Sequence, residues 1–345
     1  MDMNTYKKRD SYVDFLRGIA MLIVIFGHTM AESTTGSTDS VLFNIVWSLQ
    51  MPLFILISGY VTRYGRAPTN AREMFALLGK RTLAYLLPWF VFTVLFNGLI
   101  LGKQILTPEA LFRQMDRGYW FLITLWTISV IFILARFAAS KLCRRAESVP
   151  WVTLCFYLIG MVLLSGLGYF AGFDFFCIKL TLYYMPFYFL GYLYGFYHDK
   201  IEERFSTAVS IAVAAAALIW IVAIVKLNLY SLSDTDVSDF LLRAGVSLCG
   251  CIAVCGMMRT VKNTSPVYRF VGWIGSHTIE VYMLHYYFLN PVMLAATPAC
   301  FSARGIALTA VNFVITVTTV TIVAGLLDAN RYLSLILFGR IPKKK

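Results

Sequence analysis

Apolar residues run in blocks of about 20 along nearly the whole chain, separated by short polar segments. Ten blocks are long enough to cross a hydrocarbon core of roughly 30 Å as helices: 12–30, 41–62, 83–101, 119–137, 150–171, 178–197, 207–226, 240–258, 274–296 and 305–326. Blocks of this length exceed a barrel strand, and lipid admits only helices and closed barrels. The pattern therefore predicts an all-α, polytopic transmembrane helical bundle of about ten spans. Between the third and fourth blocks, Thr107-Pro108-Glu109 is a good helix start and Gly118 a stop, which predicts a short interfacial helix or re-entrant segment over 107–118. The stretch 262–276 sets Pro266, Tyr268, Phe270 and Trp273 among basic residues and reads as an interfacial lead-in to the ninth span. No internal repeat is visible.

Charge gives the bundle a direction. With the N-terminus inside, Lys103, Arg113, Arg117, Lys179, Lys226 and Arg304 fall in outer segments, and Arg17 and Arg243 fall within spans. The other 22 of the 30 Lys and Arg fall in inner segments. The positive-inside rule then places both termini in the cytoplasm, requires an even number of spans, and makes 327–345 a basic cytoplasmic tail. Topology accounts for the net charge of +12, so nucleic acid is not an expected partner. Only 14% of the 345 residues are charged, against about a quarter in soluble domains. No polar block is large enough for a separate soluble domain, so 1–345 reads as a single integral-membrane domain. The first span carries Asp14 and Arg17 and lacks a nearby small-residue cleavage site, so it reads as a retained signal-anchor. The seven cysteines lie mostly in apolar segments; Cys249, Cys251 and Cys255 lack metal-site spacing and neighbouring histidines, and read as packing residues rather than ligands.

The first span carries the densest chemistry. In Asp14-Phe15-Leu16-Arg17-Gly18-Ile19-Ala20, with Gly27-His28 beyond it, a carboxylate, a guanidinium and an imidazole sit in an apolar helix. Arg17 and His28 are eleven residues apart, close to a whole number of turns, so they share a face about 16 Å apart along the axis. A charge facing lipid is costly, so such groups face a protein interior or a watery cavity and are functional candidates. His28, toward the outer half, suits a general base. Arg17, nearer the cytoplasm, suits a phosphate through its planar fork, and Asp14 three residues earlier can orient it by ion pairing. Asp239 and Arg243, four residues apart, read as a structural helical pair.

These stretches resemble the signature of the acyltransferase 3 family, with its DFLRG-like start and an Arg and a His separated by ten residues. Further similar motifs follow in order: Met51-Pro52-Leu53-Phe54-Ile55-Leu56-Ile57-Ser58-Gly59-Tyr60; Lys80-Arg81 with Leu87-Pro88-Trp89; Tyr119-Trp120-Phe121-Leu122; Met185-Pro186-Phe187 with Leu190-Gly191; and Ile274-Gly275-Ser276-His277-Thr278 with Val281-Tyr282-Met283-Leu284-His285. The resemblance covers about residues 10–326 and is to the short, transmembrane-only members. His277 and Thr278 depart from the usual Lys or Asn and Ser, and Glu280 is an unusual charge there.

The resemblance implies an enzyme that moves an acetyl or other acyl group from cytoplasmic acyl-coenzyme A to a hydroxyl of a cell-envelope or extracellular saccharide or glycolipid. It implies a bacterial inner-membrane setting, acetyl-CoA as donor and no metal. It makes His28 and His285 the catalytic candidates, Arg17, Arg81 and Ser58 the donor contacts, and Trp120 and Asp14 the substrate contacts. Read on its own, Ser58-Gly59 suits helix packing, with Ser58 lining the donor channel as the alternative; for Trp120 the alternative is an interfacial aromatic belt. Succinyl transfer to a glycan and a flippase for a lipid-linked sugar are the rival functions. A flippase of this kind is expected to show repeated halves, and none is seen.

Overall fold

Asp10 starts the first helix: its carboxylate accepts from the amides of Tyr12 and Val13, satisfying two orphan donors of the first turn. The computed structural model describes residues 10–102, 107, 109, 119–172, 175–204, 206–232 and 236–340. It is 82% helical, with no strand among the described residues. In order, the helices are α1 (Ser11–Ser33), α2 (Val41–Tyr60) with a 3-10 turn Val61–Tyr64, and α3 (Ala71–Trp89), which continues as a π-helix over Phe90–Ile100. Then come α4 (Trp120–Leu142), α5 (Val149–Ala171), α6 (Ile178–Arg204), α7 (Ser206–Lys226) and α8 (Val237–Met258). The last four are α9 (Pro266–Ser276), α10 (Thr278–Leu284) with a 3-10 turn His285–Tyr287, α11 (Ala303–Ala329) and α12 (Arg331–Phe338). The helix expected over 107–118 falls almost wholly outside the described residues.

Eight of these helices are long and apolar enough to cross a membrane. The blocks at 178–197 and 274–296 are the two of the ten that do not qualify. The first of these forms α6, a 27-residue helix rich in Tyr and with a charged end. The second corrects the sequence reading, because 274–296 is not a continuous helix. It breaks at His277 (φ −119°, ψ 31°), makes the short α10 and one 3-10 turn, and then runs as irregular chain to the start of α11. Pro291 and Pro298 have no backbone N–H to give, and Asn290, which precedes Pro291, takes a positive φ of 53°. Within 327–345, Asn330 caps α12, and Gly339 ends it in the left-handed region at φ 64°.

The described chain divides into two compact units. The first comprises Met1–Ile57 and Ser206–Thr321. Here α1 packs on α9 with no room for side chains at the crossing. A Cβ at Gly18 would overlap the Val271 carbonyl, and one at Gly275 would overlap the Asp14 carbonyl. Two glycines of the recognised motifs therefore serve backbone approach. Phe15 stacks on Tyr268 beside them, with centroids 4.3 Å apart. The Tyr12 hydroxyl donates to the Cys255 carbonyl on α8. Asn44 closes the end of α7, donating to the carbonyls of Ile224 (3.0 Å) and Leu227 (2.7 Å) and accepting from the Leu229 amide (3.0 Å). Asp236 caps α8; hydrogen bonds from Ser238 hold its carboxyl below the usual range.

The irregular chain after His285 is also anchored in this unit. Asn312 on α11 donates to Ser33 Oγ (3.1 Å) and to the Val292 carbonyl (2.9 Å) and accepts from the Val292 amide (3.0 Å). Ser33 donates to Asn290 Oδ1 at 2.7 Å, and Thr316 to the Phe288 carbonyl at 2.9 Å. Non-helical backbone at membrane depth survives only where protein supplies such partners.

The second unit comprises Ser58–Phe205 and Ile322–Lys345. Pro88 inside α3 removes an amide donor just where the helix loosens into the π-form. Gly59 lets α2 meet the backbone of Tyr188 on α6. α12 docks on α3, with Phe338 stacked on Phe92 (5.8 Å) and Arg340 paired with Asp328 at 3.0 Å.

Candidate active site

Both histidines of the family-like motifs belong to the first unit, and the fold brings them together. α1 carries His28 half-buried on its second-last turn, and the turn after α10 carries His285. Their ring centroids lie 5.4 Å apart. Tyr286 packs against both, at 4.8 Å from His28 and 4.3 Å from His285. Its hydroxyl is 3.0 Å from His28 Nε2. With the His28 proton on Nδ1, that hydroxyl donates to Nε2.

His285 differs from His28 in exposure: it is 0% exposed. Its Nδ1 lies 2.7 Å from the Tyr282 carbonyl, which can only accept, so Nδ1 carries a proton. Its Nε2 is buried and has no hydrogen-bond partner among the described residues. A neutral imidazole is then left with an unused lone pair beside His28. The sequence marked both histidines as candidates but not their contact, and it passed over Tyr286. The only local signal for Tyr286 was its place next to His285.

Asp14 is buried and Arg17 half-buried, one turn apart on α1. Glu280 is fully buried on α10. His277 stacks on Trp273 at 4.0 Å, with its Nδ1 2.9 Å from the Trp273 carbonyl and 2.8 Å from Ser276 Oγ. Arg243 is buried, donates to the Leu232 carbonyl and lies over Trp47.

Ser58, Arg81 and Trp120 belong to the second unit. Ser58 is half-buried next to the Gly59 crossing. Arg81 donates to the Tyr85 hydroxyl at 3.0 Å. Trp120 stacks on Tyr184 at 5.8 Å, so that ring face is taken. Arg63 pairs with Asp199 at 2.8 Å; the bond from His198 and then that from Arg63 hold the Asp199 carboxyl below its usual range. Among the described residues no cluster of His, Cys, Asp and Glu has the makings of a metal site.

The acyltransferase domain of the acyltransferase 3 family matches residues 10–328. The chain belongs to the acyltransferase 3 family. Its matched region takes in every candidate residue above, from Asp14 to His285. Two nodulation proteins NolL are similar to this family member. That of Sinorhizobium fredii is 28% identical over 216 residues, 58% of this chain and 51% of the relative. That of Mesorhizobium japonicum is 30% identical over 139 residues, 37% of this chain and 35% of the relative. The match thus spans about half the length of one relative and about a third of the other.

Proposed function

We propose that this chain is a membrane O-acyltransferase that moves an acetyl group from cytoplasmic acetyl-CoA to a hydroxyl of a cell-envelope saccharide. Family membership supports the reaction class. The observation that carries the residue roles is the meeting of His28, His285 and Tyr286. Acyl transfer to a hydroxyl needs a base within hydrogen-bond reach of that hydroxyl. Of the two imidazoles, His28 alone has exposed surface, so His28 is the base. The acceptor's proton passes to the Tyr286 oxygen as the Tyr286 hydroxyl proton passes to His28 Nε2, the acceptor oxygen bonds to the acyl carbon, and the coenzyme thiolate leaves and recovers a proton by the reverse path. His285, with no exposed surface, acts through its neighbours as a positioning residue.

Arg17 holds a donor phosphate from the cytoplasmic side, with Asp14 orienting its fork. The donor roles of Ser58 and Arg81 and the acceptor role of Trp120 rest on their own motifs. The family resemblance implies a bacterial inner-membrane setting, and the charge distribution supports both termini in the cytoplasm. The test is reconstitution of the purified chain with acetyl-CoA and envelope saccharide. Labelled acetyl ester on the saccharide is expected from the wild type, and mass spectrometry separates acetyl from succinyl. Sugar movement across the bilayer without consumption of acetyl-CoA would replace this reading with the flippase.

A further inference from the structure

One further charge stands beside the His28 site, the carboxylate of Glu32. Glu32 lies four residues after His28 on α1, one turn outward and on the same face, so the helix sets the two Cβ atoms about 5–6 Å apart. Glu32 is exposed, and Tyr286 is 44% exposed. The Tyr286 hydroxyl, 3.0 Å from His28 Nε2, lies within the field of the Glu32 carboxylate. A base, its hydroxyl partner and a carboxylate therefore share one exposed rim of the first unit.

No cation answers the Glu32 charge. Among the described residues it forms no ion pair. Lys226, Arg243 and Arg304 are the basic residues toward the outer end of this unit, and none of them pairs with it; Arg243 is buried and donates to the Leu232 carbonyl. From Tyr286 to Ser302 the chain carries no charge at all. Asp39 adds a second carboxylate after the end of α1, and it accepts from the Asn228 side chain at 3.1 Å. Glu32 also occupies the last turn of α1, where the helix dipole disfavours a carboxylate and favours the basic residue that this turn lacks. A carboxylate that only marked the water boundary would serve as well beyond the helix end. A local rule broken without compensation, one turn from the base, marks a functional position.

We propose that Glu32 selects the acceptor. Its carboxylate accepts hydrogen bonds from hydroxyls of a neutral sugar, about 6 Å along the axis from the reacting hydroxyl, and turns away sugars that carry a carboxylate or phosphate. Hydrogen bonds to an ionised group are among the stronger ones, and like charges brought together at a contact are costly. One fixed charge thus supplies both the attraction and the repulsion that discrimination needs. This inference rests on the acyl-transfer reading above and narrows its acceptor to uncharged saccharides.

The test uses the full chain reconstituted in liposomes with labelled acetyl-CoA. Envelope saccharide is separated by anion exchange into a neutral and a uronic-acid-bearing fraction, and rates at limiting acceptor give kcat/KM for each. The wild type should favour the neutral fraction about tenfold or more. E32Q should lose about tenfold on the neutral fraction and gain on the acidic one, and E32K should prefer the acidic fraction. Both variants should melt at or above the wild-type temperature, since the side chain is exposed and its charge opposes the helix dipole. That separates lost selection from a lost fold. An unchanged neutral-to-acidic ratio in both variants, or a wild type that prefers the acidic fraction, would overturn selection by Glu32 and leave acyl transfer standing. Transfer to neither fraction by the wild type would overturn the acyl-transfer reading itself, and the role of Glu32 with it.

Discussion

The Tyr286 hydroxyl lies 3.0 Å from His28 Nε2, across 258 residues of sequence. That contact makes Tyr286 either a proton relay to the base or the group that holds its ring in place. Tyr286→Phe removes the hydroxyl and keeps the ring. It should lower kcat about tenfold, the worth of a single hydrogen bond of about 1.5 kcal/mol, with expression and melting unchanged. Steady-state kinetics of the reconstituted variant checks this, and an unchanged kcat would remove Tyr286 from the site.

His285 should behave differently from His28. Since it is wholly buried, His285→Ala should lower both activity and Tm, because it opens a cavity and strands the Tyr282 carbonyl. His285→Asn can restore a donor to that carbonyl and should recover melting more than activity. Recovery of full activity by the Asn variant would show that the imidazole lone pair is not used.

The α1–α9 crossing predicts a contrast among glycines. Gly18→Ala and Gly275→Ala should each destabilise the protein by about 1–3 kcal/mol, because the added Cβ overlaps backbone that cannot move aside. Gly245→Ala on α8 meets nothing within 4 Å and should be neutral or stabilising by up to about 1 kcal/mol. Thermal melts in detergent distinguish the three; equal effects would contradict the packing described.

Asn312 should control the chain that follows His285. Asn312→Ala strands the Val292 amide and carbonyl and frees Ser33, so faster amide hydrogen exchange is expected over 288–302. Exchange unchanged there would show that other contacts hold the segment.

Much of this was legible in the sequence, and what was not has local causes. Runs of apolar residues marked the helices because a span must satisfy its own backbone. The ninth span was misjudged because Leu, Tyr, Phe and Met continue through 284–294, although the helix breaks at His277 and ends by Tyr287 and Pro291 has no N–H with which to resume it; hydropathy does not register a missing N–H. Its anchor, Asn312, sits within an otherwise apolar helix that gave no hint of a distant partner. The motif glycines Gly18 and Gly275 were visible as letters, but their role depends on a crossing that no local pattern encodes. Glu32 belongs to no motif; its nearness to the Tyr286 hydroxyl became visible only with the two segments in place.

The most direct measurement of the central claim compares wild type with His28→Gln, reconstituted at equal protein and supplied with labelled acetyl-CoA and envelope saccharide. Loss of a general base should lower acetyl transfer by about 10²- to 10⁴-fold while the melting temperature holds. Transfer at the wild-type rate by a folded His28→Gln protein would contradict the account.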